Sequence, residues 1–144
     1  MKQPVFHIAE LSGNHNNSLE NAVNLIDAFH LAGASSIKFQ TFTADTITIK
    51  SDRPEFQING SLWNGRTLHD LYKESSMPWE WQIELAKKVK ELGMKFISSP
   101  FDYSAVDFLI EHNVDSLKVA SPEIIDIPLI RYMAETGKPL IIST

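Results

Sequence analysis

The chain has 144 residues, of which 43% are hydrophobic and 22% charged, and its formal net charge is −5. This composition is typical of a globular domain and excludes a disordered or collagen-like chain. The acidic excess argues against general nucleic-acid binding, and no apolar run approaches the roughly 20 residues that span a bilayer. The absence of cysteine excludes disulfides and thiolate chemistry. Residues 1–4 do not resemble the start of a signal peptide, so we expect a cytoplasmic protein.

Five short runs rich in apolar and β-branched residues are predicted to be strands. They are residues 5–11, 36–42, 95–101, 116–121 and 140–144. Most of them begin with consecutive apolar residues, which is typical of parallel strands covered on both faces.

Four helices are predicted between these strands, because apolar residues recur there at helical spacing. Asn17, followed by Glu20, forms a predicted capping box for the first helix. The other three begin near Pro78, near residues 104–107 and at Asp126. Residues that tolerate positive φ end the four helices: Gly33, Gly93, Asn113 and Gly137.

Alternating strands and helices predict a parallel sheet with right-handed crossovers, which fits either a doubly wound sheet or a (β/α)8 TIM barrel. The turn at residues 12–16 lacks the G-x-G-x-x-G spacing of a dinucleotide-binding loop. The sequence stops at a strand with no helix to cover it. We therefore expect residues 1–144 to be the N-terminal portion of a barrel, with about five parallel strands and four helices. The alternative is a complete flavodoxin-like domain of five strands.

Residues 43–77 interrupt this rhythm with a long polar connection. Connections of this length inside compact domains are uncommon unless they have a function. The segment also contains six large apolar residues, so it either packs over a site or forms a surface excursion with a small core of its own. The sequence leaves both possibilities open.

Two lysines lie within otherwise apolar predicted strands. Lys38 and Lys118 would be costly to bury without charge compensation, and the active sites of parallel barrels lie at the carboxyl ends of the strands. Hydroxyl groups suited to an anion follow three of the strands, at Ser99, Ser121 and Ser143. With both lysines at equivalent depth, these groups predict a pocket for a small di- or trianion. The alternative for either lysine is a structural ion pair.

Glu10 and Glu123 bring carboxylates to the same edge. They could orient sugar hydroxyls or transfer a proton, and the alternative is that each simply pairs with a lysine. A lone histidine in the first loop, His15, is more often a turn-stabilising partner than a metal ligand. The other histidines show no ligand spacing and no serine occupies a G-x-S-x-G elbow, so we assign no metal site and no serine hydrolase chemistry.

Several motifs resemble those of the sialic acid (nonulosonic acid) synthase family. They are IAELSGNHNNS (residues 8–18), IKFQTFTADTIT (37–48), FISSPFD (96–102) and LKVASPEIIDIPLI (117–130). The segment SLWNGRTLHDLYKESSMPWEW (61–81) resembles the pseudaminic acid synthase branch. The resemblance covers essentially the whole chain.

The resemblance implies a condensation of phosphoenolpyruvate with an N-acylated amino sugar, here 2,4-diacetamido-2,4,6-trideoxy-altrose, with release of phosphate. It implies phosphoenolpyruvate-binding roles for five residues: Lys38, Ser99, Lys118, Ser121 and Ser143. Glu10, Gln40 and Glu123 match positions near the reacting centre and the acceptor, with Glu10 as the catalytic candidate.

The resemblance also implies parts that lie outside this chain. These are the remaining barrel strands, an antifreeze-like domain, and two histidines that hold a divalent metal, Mn or Mg. The family works as a homodimer. We therefore expect the isolated chain to be inactive. Alternative functions are an N-acetylneuraminate or legionaminate synthase, and a non-catalytic half-barrel that binds an anion.

Overall fold

The computed structural model describes residues 5–143, in which five parallel strands form one sheet. The strands are β1 (Ile8–Glu10), β2 (Ser36–Thr41), β3 (Lys95–Pro100), β4 (Ser116–Val119) and β5 (Leu140–Ile142). Each strand pairs with the next along the chain, in the order β1-β2-β3-β4-β5. A flavodoxin-like sheet would place its first strand between the second and third. The consecutive order is that of a barrel, so the chain forms half of a TIM-type barrel.

All five strands are shorter than the predicted runs. β1 begins three residues after the predicted start at Val5, and Thr144, the predicted end of the fifth strand, lies outside the described residues. The flanking apolar residues belong to turns that lead into and out of the sheet. The number and direction of the strands were nevertheless predicted correctly.

Six α-helices and two short 3₁₀ helices accompany the sheet within residues 5–143. The α-helices are α1 (Leu19–Leu31), α2 (Ala44–Ile47), α3 (Leu68–Ser75), α4 (Trp79–Glu91), α5 (Tyr103–Glu111) and α6 (Ile127–Glu135). The 3₁₀ helices are Pro54–Phe56 and Ser121–Ile125. The predicted four helices correspond to α1, α4, α5 and α6, which are the crossovers. The prediction missed α2 and α3 because both lie in the segment taken as a polar connection.

The first helix cap differs from the prediction. The Ser18 hydroxyl, not Asn17, accepts the backbone N–H of Asn21 at 3.1 Å. Asn17 instead has a left-handed backbone, with φ +53°, and its N–H donates to the His15 ring. The capping box with Glu20 is therefore wrong, because the loop takes up Asn17 before the helix begins.

The other helix boundaries follow local chemistry more closely. Asp126 caps α6 as predicted, accepting the Leu129 N–H at 3.0 Å. Asp102 caps α5, two residues before the predicted start, and accepts the Ala105 N–H at 2.9 Å. The four predicted terminating residues all have positive φ: Gly33, Gly93, Asn113 and Gly137.

The outer face of the sheet packs against the crossover helices. Phe39 and Phe96 lie at its centre with ring centroids 5.1 Å apart, and Leu117 is fully buried in the same core. Because strand side chains alternate between faces, the residues between these apolar positions point into the barrel. This alternation places Lys38, Gln40, Ser99 and Lys118 on the inner face.

Residues 43–77 fold against the carboxyl edge of the sheet through α2 and α3. His69 on α3 is buried, and its Nε2 lies 2.9 Å from Asp45 Oδ1 on α2. The Tyr72 ring meets the Phe42 ring edge-on, at 6.2 Å between centroids. Of the two possibilities that the sequence left open, packing over the sheet edge is the one observed. Within the described residues, no helix combines the length and hydropathy needed to cross a bilayer.

Candidate functional site

Lys38 and Glu10 form an ion pair on the inner face of the half-barrel. The register pairs the two residues directly across β1 and β2. The Lys38 ammonium lies 2.6 Å from Glu10 Oε2 and 2.8 Å from Oε1. The Lys38 side chain is 9% exposed and the Glu10 side chain 47% exposed. Pairing compensates the buried ammonium, so the ion-pair alternative holds for Glu10.

Lys118 has no such compensation, since it makes none of the salt bridges found among residues 5–143. Burial lowers the pKa of Lys118, and the positive charge of Lys38 lowers it further. Two carboxylates, of Glu10 and Glu123, act in the opposite direction. The Lys118 charge is therefore destabilised until an anion arrives.

The two lysines do not lie at the same level of the sheet. Lys38 pairs with Ile97, and Ile97 pairs with Ser116, two residues before Lys118. Lys118 therefore stands one inner-face step nearer the carboxyl edge along the register, and the expectation of equivalent depth is wrong. The lysines are still close enough for each charge to affect the other.

The three predicted hydroxyls lie in different environments. Ser99 is fully buried, and its Oγ has no hydrogen-bond partner in the structure. Ser121 is exposed at the first position of the 3₁₀ helix after β4. Ser143 follows β5, where its N–H donates to the Val119 carbonyl at 3.2 Å. An orphaned buried hydroxyl is costly, so Ser99 marks a place where a ligand oxygen would stabilise the site.

A cavity of about 640 Å³ opens at the carboxyl edge of the sheet. Its polar lining includes four predicted residues: Gln40, Lys118, Ser121 and Glu123. Ser12, from the loop after β1, also lines it and donates a short hydrogen bond to the Gln40 side-chain carbonyl. The four other predicted residues, Glu10, Lys38, Ser99 and Ser143, are not part of this lining. The volume is in the range of sites that enclose ligands of drug size.

Glu123 is the second unusual carboxylate of the site. Burial raises the pKa of Glu123, and the positive charge of Lys118 opposes that rise. Its Oε2 atom is buried without a hydrogen-bond partner. A carboxyl group that is easily protonated and borders the cavity is suited to hold or deliver a proton.

His15 has the turn-stabilising role that the sequence predicts. The ring is fully buried, its Nδ1 accepts the Asn17 N–H at 3.0 Å, and its centroid lies 5.9 Å from the Trp81 ring. Burial lowers the pKa of His15. Within the part of the chain that the structure describes, no three His, Cys, Asp or Glu residues are grouped to hold a metal ion.

Sequence reasoning missed the apolar part of the cavity lining. It consists of Phe42, Ile47, Tyr72, Phe101, Ala120 and Pro122. The large apolar residues between positions 43 and 77 were the available signal, but strand and helix periodicity does not specify where a connection packs.

The chain matches the NeuB family over residues 25–144. It is 42% identical over 140 residues to the pseudaminic acid synthase of Campylobacter jejuni serotype O:2, covering 97% of this chain. It is also 38% identical over 140 residues to the N,N'-diacetyllegionaminic acid synthase of Legionella pneumophila, covering 96% of this chain.

A solved structure shares the fold: the N-acetylneuraminic acid synthetase of Leptospira borgpetersenii, in complex with citrate. It superposes with a TM-score of 0.81 at 28% identity, covering 97% of this chain and 44% of that protein. The chain spans 41% of the Campylobacter relative's length and 39% of the Legionella relative's. With its family match and its half-barrel fold, this chain belongs to the NeuB family, whose named relatives here are synthases of nonulosonic acids.

Proposed function

We propose that the complete natural protein carrying this sequence condenses phosphoenolpyruvate with an N-acylated amino sugar and releases phosphate. The observation that carries the proposal is the state of Lys118 and Ser99: an ammonium without an ion pair and a buried hydroxyl without a partner, both on the inner face. Both groups need a ligand that brings negative oxygen atoms. Phosphoenolpyruvate supplies a carboxylate and a phosphate.

In this proposal the polar groups of the half-barrel divide into two sets. Lys118 and Lys38 attract the anion, while the hydroxyls of Ser99, Ser121 and Ser143 accept its oxygens as hydrogen-bond partners. Gln40 and Glu123 border the cavity where the acceptor aldehyde would lie. Glu10 holds Lys38 in position through the short ion pair.

The bond changes define what these groups must do. The alkene carbon of phosphoenolpyruvate forms a C–C bond to the aldehyde carbon of the open sugar, and the aldehyde oxygen gains a proton. Water adds to the resulting cationic carbon, and cleavage of the C–O bond releases phosphate. The raised pKa of Glu123 supports it as the proton donor. Glu10, the carboxylate first assigned to catalysis, is better placed to orient Lys38.

The family resemblance implies a divalent metal, but the described residues offer no group of three ligands for one. The residues of this chain that border the cavity do not fit a metal centre, so no step of the proposal passes through one.

The acceptor is proposed to be 2,4-diacetamido-2,4,6-trideoxy-altrose. Support comes from the 42% identity to a pseudaminic acid synthase, against 38% for a diacetyllegionaminic acid synthase. The test is phosphate release by the complete protein, supplied with phosphoenolpyruvate and one sugar at a time. We expect the altrose derivative to give the highest kcat/KM. A higher value for N-acetylmannosamine would favour a neuraminate synthase, and no release with any sugar would favour a non-catalytic anion-binding protein.

A further inference from the structure

The cavity at the carboxyl edge has an apolar wall made of Phe42, Ile47, Tyr72 and Phe101. Three of these residues form one aromatic cluster: the Phe42 ring lies 5.5 Å from the Phe101 ring and 6.2 Å from the Tyr72 ring. None of the residues that α2 and α3 contribute to the cavity carries a formal charge. The proposed reaction uses none of the four.

The wall is held in place by contacts away from the cavity. His69 Nε2 and Asp45 Oδ1, 2.9 Å apart, join α3 to α2. The end of α3 packs on the loop after β1, where a Cβ at Gly13 would lie 3.5 Å from the Cβ of Ser75. These contacts give Ile47 and Tyr72 defined positions over the cavity, as a selective surface requires.

Phosphoenolpyruvate does not account for this wall. Its carboxylate and phosphate need the cationic and hydroxyl groups of β2, β3 and β4. The acceptor sugar must place its aldehyde beside that site, so its non-reacting end remains to contact another part of the lining. Apolar side chains favour methyl groups there and offer no hydrogen bond to a hydroxyl.

We propose that Ile47 and Tyr72 determine acceptor specificity by packing against the methyl substituents at the non-reacting end of the sugar. The inference rests on the proposed function, and it assigns to the segment 43–77 the discrimination between 6-deoxy sugars and sugars that carry a 6-hydroxyl group. Apolar pockets discriminate at this level by about 10- to 100-fold.

The test uses the complete natural protein and two acceptors that differ only at C6, one with a methyl and one with a hydroxymethyl group. Ile47→Thr replaces part of the apolar surface with a hydroxyl while keeping the branched shape. We expect the ratio of kcat/KM for the two acceptors to fall about tenfold, with the KM for phosphoenolpyruvate unchanged. Ile49→Thr is the matched control: Ile49 is 63% exposed and does not line the cavity, so the ratio should not change.

Tyr72→Gln is the second variant and carries the same test if Ile47→Thr does not fold. A folded variant of either kind with an unchanged ratio would overturn the inference while leaving the proposed function intact. A wild-type protein that condenses no amino sugar would overturn both. The two failures are therefore distinguishable by the activity of the wild-type protein.

Discussion

Replacing Lys118 with methionine isolates the charge that the structure leaves for the ligand. Methionine keeps an unbranched apolar side chain of similar length and removes the ammonium. Since Lys38 and Lys118 repel each other in the empty site, the variant should fold at least as stably as the wild type. Any loss of binding is then a property of the site and not of the fold.

The expected loss follows from the burial of Lys118 and the absence of a protein partner for it. Removing one partner of a desolvated, charge-assisted contact costs about 2–5 kcal/mol. Lys118 is only half-buried, so we take about 3 kcal/mol, which corresponds to roughly a hundredfold weaker Kd for phosphoenolpyruvate. Titration calorimetry of the complete protein with phosphoenolpyruvate measures this directly.

Lys95→Met is the matched control. Lys95 begins β3 at the opposite end of the sheet, where its ammonium lies 3.2 Å from Asp115. The same change of side chain there should leave the Kd unchanged. An effect of less than about fivefold for Lys118→Met, or an equal effect for both variants, would refute the assignment of the anion site.

Three further predictions concern pH dependence and stability. Because the empty site lowers the pKa of Lys118, phosphoenolpyruvate affinity should be full below that pKa and be lost as pH rises through it, and Lys118→Met should abolish this dependence in titrations across the alkaline range. Glu10→Gln leaves Lys38 buried without compensation and should lower the free energy of unfolding by about 2–3 kcal/mol in urea denaturation; a larger loss for Lys38→Met would contradict this. Asp126→Ala removes the cap of α6 and should cost about 1 kcal/mol in the same assay, whereas no loss would mean that the cap is not stabilising.

The sequence was sufficient to predict which residues share a face. Lys38 and Gln40 are two positions apart on one strand, and the alternation of strand side chains places them together wherever the strand packs. The same periodicity located the outer core at Phe39 and Leu117. These are local properties, and a single strand or helix determines them.

The remaining features depend on contacts between distant segments. The pairing of Glu10 with Lys38 follows from the β1–β2 register, which hydrophobic patterning does not specify to within one residue. The apolar wall depends on where α3 docks, and Tyr72 reaches the cavity only because His69 and Asp45 join α3 to α2. The cap of α1 moved to Ser18 because a buried histidine ring binds the backbone of the residue before it.

The half-barrel treats its two inner lysines in opposite ways, and this difference gives the site its chemistry. The Lys38 charge is balanced by Glu10 before any ligand arrives, so it adds a fixed ammonium without a large desolvation penalty. Lys118 is not balanced, and its charge becomes favourable only when an anion occupies the site. A site with two compensated lysines would attract an anion weakly, and a site with two uncompensated lysines would destabilise the fold. One of each allows a stable scaffold to bind a doubly charged ligand.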